Sequence, residues 1–425
     1  MPALVGARRP ALLTPQKSNL KLLNIGTRGE WPTVRIQSAN TSYESFRGRV
    51  KLAIPVACKR FKTVDVGFYV NVAEVALGND VAAEFAIEIP TAPITTPQRV
   101  RYGGSTSTII PDGAAEHTSD WIEASWFGLT EFPAGLEYWR RWDMRVPQGG
   151  WYLQPTVNSS LINGEGSTFV AAATASTLLS TGATYGSGNY SHVPVMVLAE
   201  VPASTISVWG DGDSIMILSN DNFGDGSGNG GGWFRRGLYS VNGARIPNTN
   251  AGRGSTQISH FVASHSKRAQ LWKYTNRRVS HYGTNDFVSG ARTAAAIFAD
   301  HVAMAREYKL SVPGGKNTIS AILPRANTSD AGATVAGQTF PGVLSVFAAG
   351  GIGRDPLNAL LQGAVGGGWI DEFMDLSPAI ADATFPDRWK APGYTIDAIH
   401  PSAGTASAAM GATFNAVAAA WPAAA

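Results

Sequence analysis

Cysteine is nearly absent: Cys58 is the only one in 425 residues. That excludes an internal disulfide and a cysteine-rich zinc site. Cys58 follows Val56 and Ala57 and precedes Lys59. It reads as a small strand residue, because no neighbour would activate its thiol. Charge is also sparse, with charged residues at 15% and a net charge of +3. The basic pairs Arg140–Arg141, Arg235–Arg236 and Arg277–Arg278 are scattered, so no nucleic-acid partner is expected. No apolar run reaches the roughly 18 residues of a membrane span, so no transmembrane segment is expected either. The opening "MPALVGARRPALLTPQK" has basic residues but no continuous apolar stretch, and does not read as a signal peptide. An extracellular or cell-surface location is nonetheless the expectation. There are seven histidines. His260 and His265 are badly spaced for one helical face, so neither a metal nor a cofactor is expected.

What is present is apolar and β-rich at first. Hydrophobic residues make up 44% of the chain, which is globular and long enough for two cores. Up to about Pro202, strand-like runs dominate: "RGRVKLAIPVACK", "TVDVGFYVNVAEV", "AAEFAIEIP", "EYWRRWDMRVP", "STFVAAATA" and "HVPVMVLAEVP". Several alternate apolar and polar residues, as half-buried antiparallel strands do. Residues 1–200 therefore predict an all-β, jelly-roll-like sandwich that packs on the rest or binds substrate. Trp31, Trp121, Trp126, Trp139, Trp142 and Trp151 lie in this half. Each could stack on a sugar or simply fill a core.

Residues 201–425 alternate strand and helix, which predicts a parallel sheet in an α/β domain. "STISVWG", "LYSVNGARI", "RRVSHYG" and "NTISAILP" read as strands. "QISHFVASHSKRAQLW" and "ARTAAAIFADHVAMAREYKL" read as helices, the second with Phe298, Val302 and Ala305 inward. "TASAAMGATFNAVAAAW" puts Met410, Phe414, Val417 and Trp421 on one stripe. "DNFGDGSGNGGGW", from Asp221 to Trp233, reads as a flexible loop and lacks the spacing of a calcium loop. Sites in parallel sheets lie beyond the carboxyl ends of strands. Four polar segments stand there: "GDGDSI" with Ser214, "NAGRGSTQ" with Gly252, "HYGTND" with Asn285, and "DAIHPSAG" with Asp397 and His400.

Together they contain what ester hydrolysis requires. A serine hydroxyl needs a base within hydrogen-bond reach, and histidine is suited to that task. The imidazole needs a carboxylate to fix its tautomer. Asp397 and His400 are close enough along the chain for one turn to join them. The oxyanion needs donors already aimed at it: the amides of Ser214 and Gly252 and the carboxamide of Asn285. Asp213 and Asp286 read as supports for these loops. Arg253 and His281 are the candidates for substrate contact.

These four segments resemble the four blocks of the SGNH hydrolases, also called the GDSL superfamily, with "AGRG" closest to the form in carbohydrate O-acetylesterases. The resemblance spans about half the chain, from roughly Ser204 to Trp421. It implies a flavodoxin-like three-layer α/β/α domain and a Ser214–His400–Asp397 triad. The expected activity is hydrolysis of short acyl, chiefly acetyl, esters on a carbohydrate or another small ester. The sequence departs from the family in three places. A glycine-rich stretch follows soon after Ile217, Gly254 stands where acetylesterases often carry serine, and "AAGGIGRDPLNALLQGAVGGGW" has no counterpart. Rival readings are a lipase or thioesterase, and a non-catalytic carbohydrate-binding or adhesion protein. Oligomeric state is not legible.

Overall fold

The computed structural model describes residues 19–37, 45–155, 164–171, 174–186, 192–217 and 232–422. The fold is mixed α/β. In the first half, the expected apolar runs form two large antiparallel sheets, with two-stranded sheets at Phe68–Val70/Glu74–Ala76 and Pro32–Gln37/Trp151–Pro155. One of the large sheets holds Leu20–Asn24, Met196–Pro202, Arg60–Asp65 and His117–Thr118 in that order, with Ile122–Glu123 also paired to Arg60–Asp65. The other runs Thr108–Ile110, Val81–Glu88, Leu136–Arg145, Ser45–Ile54 and Gly166–Val170. Phe61, Leu198, Val50, Phe85, Tyr138 and Trp142 share one apolar core drawn from both sheets. Cys58 is buried and bridges to Phe132. Burial pushes its thiol up to about 12, which leaves it unreactive.

The second half is built on a parallel sheet of six strands. They are β1 (Gly29–Glu30), β2 (Val208–Gly212), β3 (Asn248–Asn250), β4 (Arg277–His281), β5 (Lys316–Ser320) and β6 (Glu372–Met374). Their order across the sheet is β1-β3-β2-β4-β5-β6, and every pairing is parallel. Counted from Val208 alone, the order is 2-1-3-4-5, and it reverses between β2 and β4, which is the switch point of the sheet. The edge strand β1 comes from the first half of the chain. Sequence patterning missed it because two residues carry no periodicity.

The two faces of the sheet feed different cores. Val208 and Val279 join a cluster with Trp233, Met410 and Phe414. Trp209 and Ile319 join the core shared with the antiparallel sheets. The helices include α1 (Ser214–Ile217), α2 (Gly232–Tyr239), α3 (Ile258–Ala263), α4 (Thr284–Val288), α5 (Ala294–Ser311), α6 (Arg354–Gly363) and α7 (Thr405–Ala419), with short helical turns at Ser266–Ala269 and Ser377–Ile380. Two expectations need correction. "LYSVNGARI" is not a strand: Leu238 and Tyr239 end α2, and Val241 and Ala244 close a turn. Phe234 and Leu238, one helical turn apart, turn α2 inward toward Phe414 of α7. In α5 the buried stripe is Ile297, His301, Met304, Ala305 and Tyr308, with Phe298 and Val302 only half-buried. The expected loop from Asp221 to Trp233 lies outside the described residues, apart from Gly232 and Trp233, which open α2.

The halves meet along a continuous contact. Trp31 lies 5.5 Å from Phe68 and 5.6 Å from Trp209, measured between ring centroids. Asn248 N–H donates to Gly26 O at 2.7 Å, and Thr249 Oγ1 donates to Val195 O at 2.8 Å. Glu74 accepts from the amides of Lys267 and Arg268 at 2.8 and 2.9 Å and pairs with the Arg268 guanidinium. Trp31 and Trp142 are core residues, 2% and 1% exposed. Arg60 lies over the ring of Trp121, Arg49 over Trp139, and Arg35 over Trp151, so arginines already occupy ring faces that a sugar would need.

Candidate active site

The "VWGDGDS" turn is dictated by crowding. A Cβ on Gly210 would stand 2.5 Å from the Phe234 ring, and one on Gly212 would stand 2.7 Å from His281 O. Only glycine lets β2 run this close to its neighbours. The intervening aspartates have separate tasks. Asp211 is fully buried and bidentate to Arg278 of β4, at 2.7 Å to both Nε and Nη2. Asp213 is also fully buried; its Oδ1 accepts from Ile215 N–H at 3.0 Å, and its Oδ2 has no partner among the described residues. Burial pushes the Asp213 carboxyl up to about 7, with the Asp286 charge adding to the shift.

Ser214 thus emerges at the first turn after β2. Its Oγ lies 2.8 Å from His400 Nε2, and His400 Nδ1 lies 2.6 Å from Asp397 Oδ2. Asp397 Oδ1 accepts from the amides of Ile399 and His400 at 2.9 and 2.8 Å, and from Thr395 Oγ1 at 3.2 Å. Burial alone would raise this carboxyl. The hydrogen bonds from the His400 ring and the two amides outweigh it and hold Asp397 well below the usual carboxylate range. Ala398 makes the turn possible by adopting φ +57°, a left-handed conformation costing about 1–2 kcal/mol in a residue with a Cβ. Its carbonyl accepts from Ala326 N–H at 3.0 Å and from Trp389 Nε1 at 3.1 Å. Trp389, fully buried, was not singled out from sequence, and no local pattern marks it.

The remaining expected residues divide. Asn285, on α4 beyond β4, donates through Nδ2 to Thr256 O at 3.2 Å, which fixes the carboxamide and leaves its second N–H available. The Ser214 amide has no acceptor among the described residues. Gly252 N–H instead donates to Asn250 Oδ1 at 3.0 Å. Gly254 stands nearer the nucleophile: a Cβ there would lie 3.9 Å from Ser214 Cβ. Asp286 is fully buried, accepting from Ile258 N–H at 3.0 Å and from Arg292 Nη1 at 3.1 Å. It ties α4 to the start of α3, and burial raises its pKa against those hydrogen bonds. Arg253 reaches out to Asn71 Oδ1 at 2.6 Å, on a turn of the first half. His281 does not reach a cleft. It is fully buried, with Nδ1 at 2.5 Å from Ser320 Oγ and its ring against Trp233, and burial pulls its pKa down to about 4.

Ser214, His400, Asp397 and Asn285 therefore converge at the carboxyl ends of β2 and β4, the switch point of the sheet. The chain is similar to a GDSL-like lipase from Bacteroides thetaiotaomicron, at 18% identity and a TM-score of 0.36, over 51% of this chain and 89% of that one. A member of the lipolytic G-D-S-L family from Veillonella parvula matches at 15% identity and a TM-score of 0.34, over 51% and 100%. A family two carbohydrate esterase from Clostridium thermocellum, solved as an active-site mutant, matches at 11% identity and a TM-score of 0.36, over 94% of this chain and 98% of that one. These neighbours are ester hydrolases by name. No protein-family model matches the sequence, and no curated protein matches it. Among the described residues, no helix is long and apolar enough to cross a membrane.

Proposed function

We propose that the chain is a serine esterase that hydrolyses short acyl esters, chiefly acetyl esters on a carbohydrate. The observation that carries the reading is the unbroken hydrogen-bonded line from Ser214 Oγ through the His400 ring to Asp397. Ser214 Oγ attacks the ester carbonyl carbon as its proton passes to His400 Nε2. Asp397, kept ionised, holds Nδ1–H and stabilises the imidazolium. The oxyanion is held by the Ser214 amide and the free N–H of Asn285. Gly252, shared with Asn250, and Gly254 are the candidates for a third donor. The tetrahedral intermediate collapses, the C–O bond to the alcohol breaks, and His400 returns the proton to the leaving oxygen. Water repeats the sequence on the acyl-serine and restores Ser214.

The doubly wound strand order and the two separate cores on its faces support a flavodoxin-like three-layer catalytic domain over residues 201–425. The two antiparallel sheets with one common core support a β-sandwich over residues 1–200. We assign that sandwich a packing role, with the turn at Asn71 forming part of the cleft wall through Arg253. A fluorophosphonate probe is expected to label Ser214 alone. Ser214→Ala is expected to abolish release of p-nitrophenol from p-nitrophenyl acetate while melting as the parent does. Labelling at a different serine, with full activity in the variant, overturns the reading.

A further inference from the structure

Most buried arginines in this protein meet a carboxylate. Arg140 meets Asp65, Arg141 meets Glu88, and Arg278 meets Asp211. Arg325 does not. It lies on the loop that leaves the carboxyl end of β5, and the next residue, Ala326, is bonded to Ala398 of the Asp397–His400 loop. Arg325 is partly exposed. Its Nε is sealed from solvent, and the guanidinium has neither ion pair nor hydrogen-bond acceptor among the described residues. The two nearest carboxylates leave it so. Asp397 is already saturated by the His400 ring, two amides and Thr395. Asp213 is turned to Ile215 N–H. The charges of Asp213 and Asp397 do reach Arg325, against a larger burial cost.

A second guanidinium, that of Arg253, stands on the loop that follows β3. Arg253 precedes Gly254, the residue set over Ser214. Its side chain is anchored only by neutral acceptors, Gly254 O and Asn71 Oδ1, and no carboxylate pairs with it among the described residues. Half-buried cations are costly without a counter-ion. These two lie on the loops that follow β3 and β5, the strands on either side of the β2–β4 pair.

We propose that Arg325, assisted by Arg253, binds a carboxylate on the alcohol part of the substrate, so that the ester is carried by an acidic sugar. This rests on the esterase reading and narrows its substrate class. A guanidinium fork matches a planar carboxylate with two parallel hydrogen bonds. Arg325 then acts on substrate selection, and its removal changes the ratio of rates between charged and neutral substrates.

The test compares two esters that differ in one charge: a mono-O-acetylated methyl galacturonoside as the free acid, and the same sugar as its methyl ester. The wild type is expected to show a kcat/KM at least about ten-fold higher on the acid, the size of a charge-assisted hydrogen bond. That preference is expected to shrink with added salt. In Arg325→Gln the ratio should fall to near one, with Arg325→Lys intermediate and Arg253→Gln giving a smaller drop. A wild-type ratio at or below one overturns the proposal. So does an Arg325→Gln ratio equal to the wild type's, including a variant slow on both esters alike, which would place Arg325 with the triad. Should Arg325→Gln not fold, inhibition of the wild type decides: free galacturonate is expected to compete and galactose not, and equal inhibition overturns the proposal. Failure of the esterase reading is separable, because the folded wild type would then turn over neither acetylated sugar nor p-nitrophenyl acetate.

Discussion

In the first half of the molecule, the Arg140 guanidinium lies 3.9 Å over the Phe85 ring, bonded to Asp65 at 2.6 and 2.8 Å, and His192 closes on the same carboxylate at 3.0 Å. Burial alone would raise Asp65, yet Arg140 and His192 hold it far below the carboxylate range. At the carboxyl end of the parallel sheet the charged groups are arranged differently. Asp213 is buried with one oxygen lacking a hydrogen-bond partner, and neither Arg253 nor Arg325 forms an ion pair, among the described residues. Both regions bury ionisable groups. The first pairs its buried arginines with carboxylates, although Arg140 Nε and Nη1 keep no hydrogen-bond partner among the described residues. The second leaves capacity to bind charge or protons, as a reacting site requires. Burial of charge is common to both regions; ion pairing is what differs between them.

The sharpest way to break this contrast is to separate the halves. Deleting residues 1–200 removes β1 from the sheet and strips Trp31 and its neighbours from Trp209. We expect no soluble, cooperatively melting protein. A soluble fragment with full activity on p-nitrophenyl acetate would make the scaffold dispensable.

Next in size is Arg140→Ala. It leaves Asp65 buried without its main partner, which should cost about 3–5 kcal/mol of stability in denaturant titration. The kcat of the molecules that remain folded should not change. A lowered kcat at unchanged stability would reverse the division between the regions. Asn285→Ala should do the opposite: kcat is expected to fall about 10²–10³-fold with little change in KM or melting temperature. An unchanged kcat would remove Asn285 from the oxyanion site.

The smallest effect concerns Asp213. Its folded pKa, about 7, lies above that of an unfolded aspartate. The unfolded chain therefore loses the proton first as pH rises, and stability falls between roughly pH 4 and 7. Asn keeps the acceptor for Ile215 N–H and cannot ionise. Asp213→Asn should melt higher than the wild type at pH 8 and equally at pH 4. Parallel melting curves at both pH values would show Asp213 to be already compensated. Asp397 works with the opposite sign, because its folded pKa is depressed: its contribution is present at neutral pH and is lost as pH falls through the acid range.

Much of this was legible in the sequence. The long strands of the first half carried their own alternation, and α7 its apolar stripe, whereas α5 was legible as a helix but not in which face it buries. Ser214, Asn285, Asp397 and His400 were readable because turn chemistry and a short Asp–His spacing are local properties. What stayed hidden depended on distant neighbours. His281 looked like a cleft residue from its place before "GTND", but Trp233 and Ser320 enclose it. Gly252 looked like a free donor until Asn250 Oδ1 was placed. Arg325 sits in an unremarkable "LPRAN" loop, and its significance is the lack of a partner, which no one-dimensional pattern can express. Leu238 and Tyr239, the end of α2, were read as strand because the helix's inward face is sensed only through α7.

The edge strand β1 bears on how the chain acquires its shape. Gly29 and Glu30 leave the ribosome before any other part of the sheet they complete, and their partners, Thr249 and Asn250, follow only after the whole antiparallel region has been made. Closing so long a loop is slow. Until it closes, the outer rim of β3 offers unpaired amides and carbonyls to any extended chain nearby. Loss of those two residues would leave that rim of β3 unpaired, and self-association is the expected outcome.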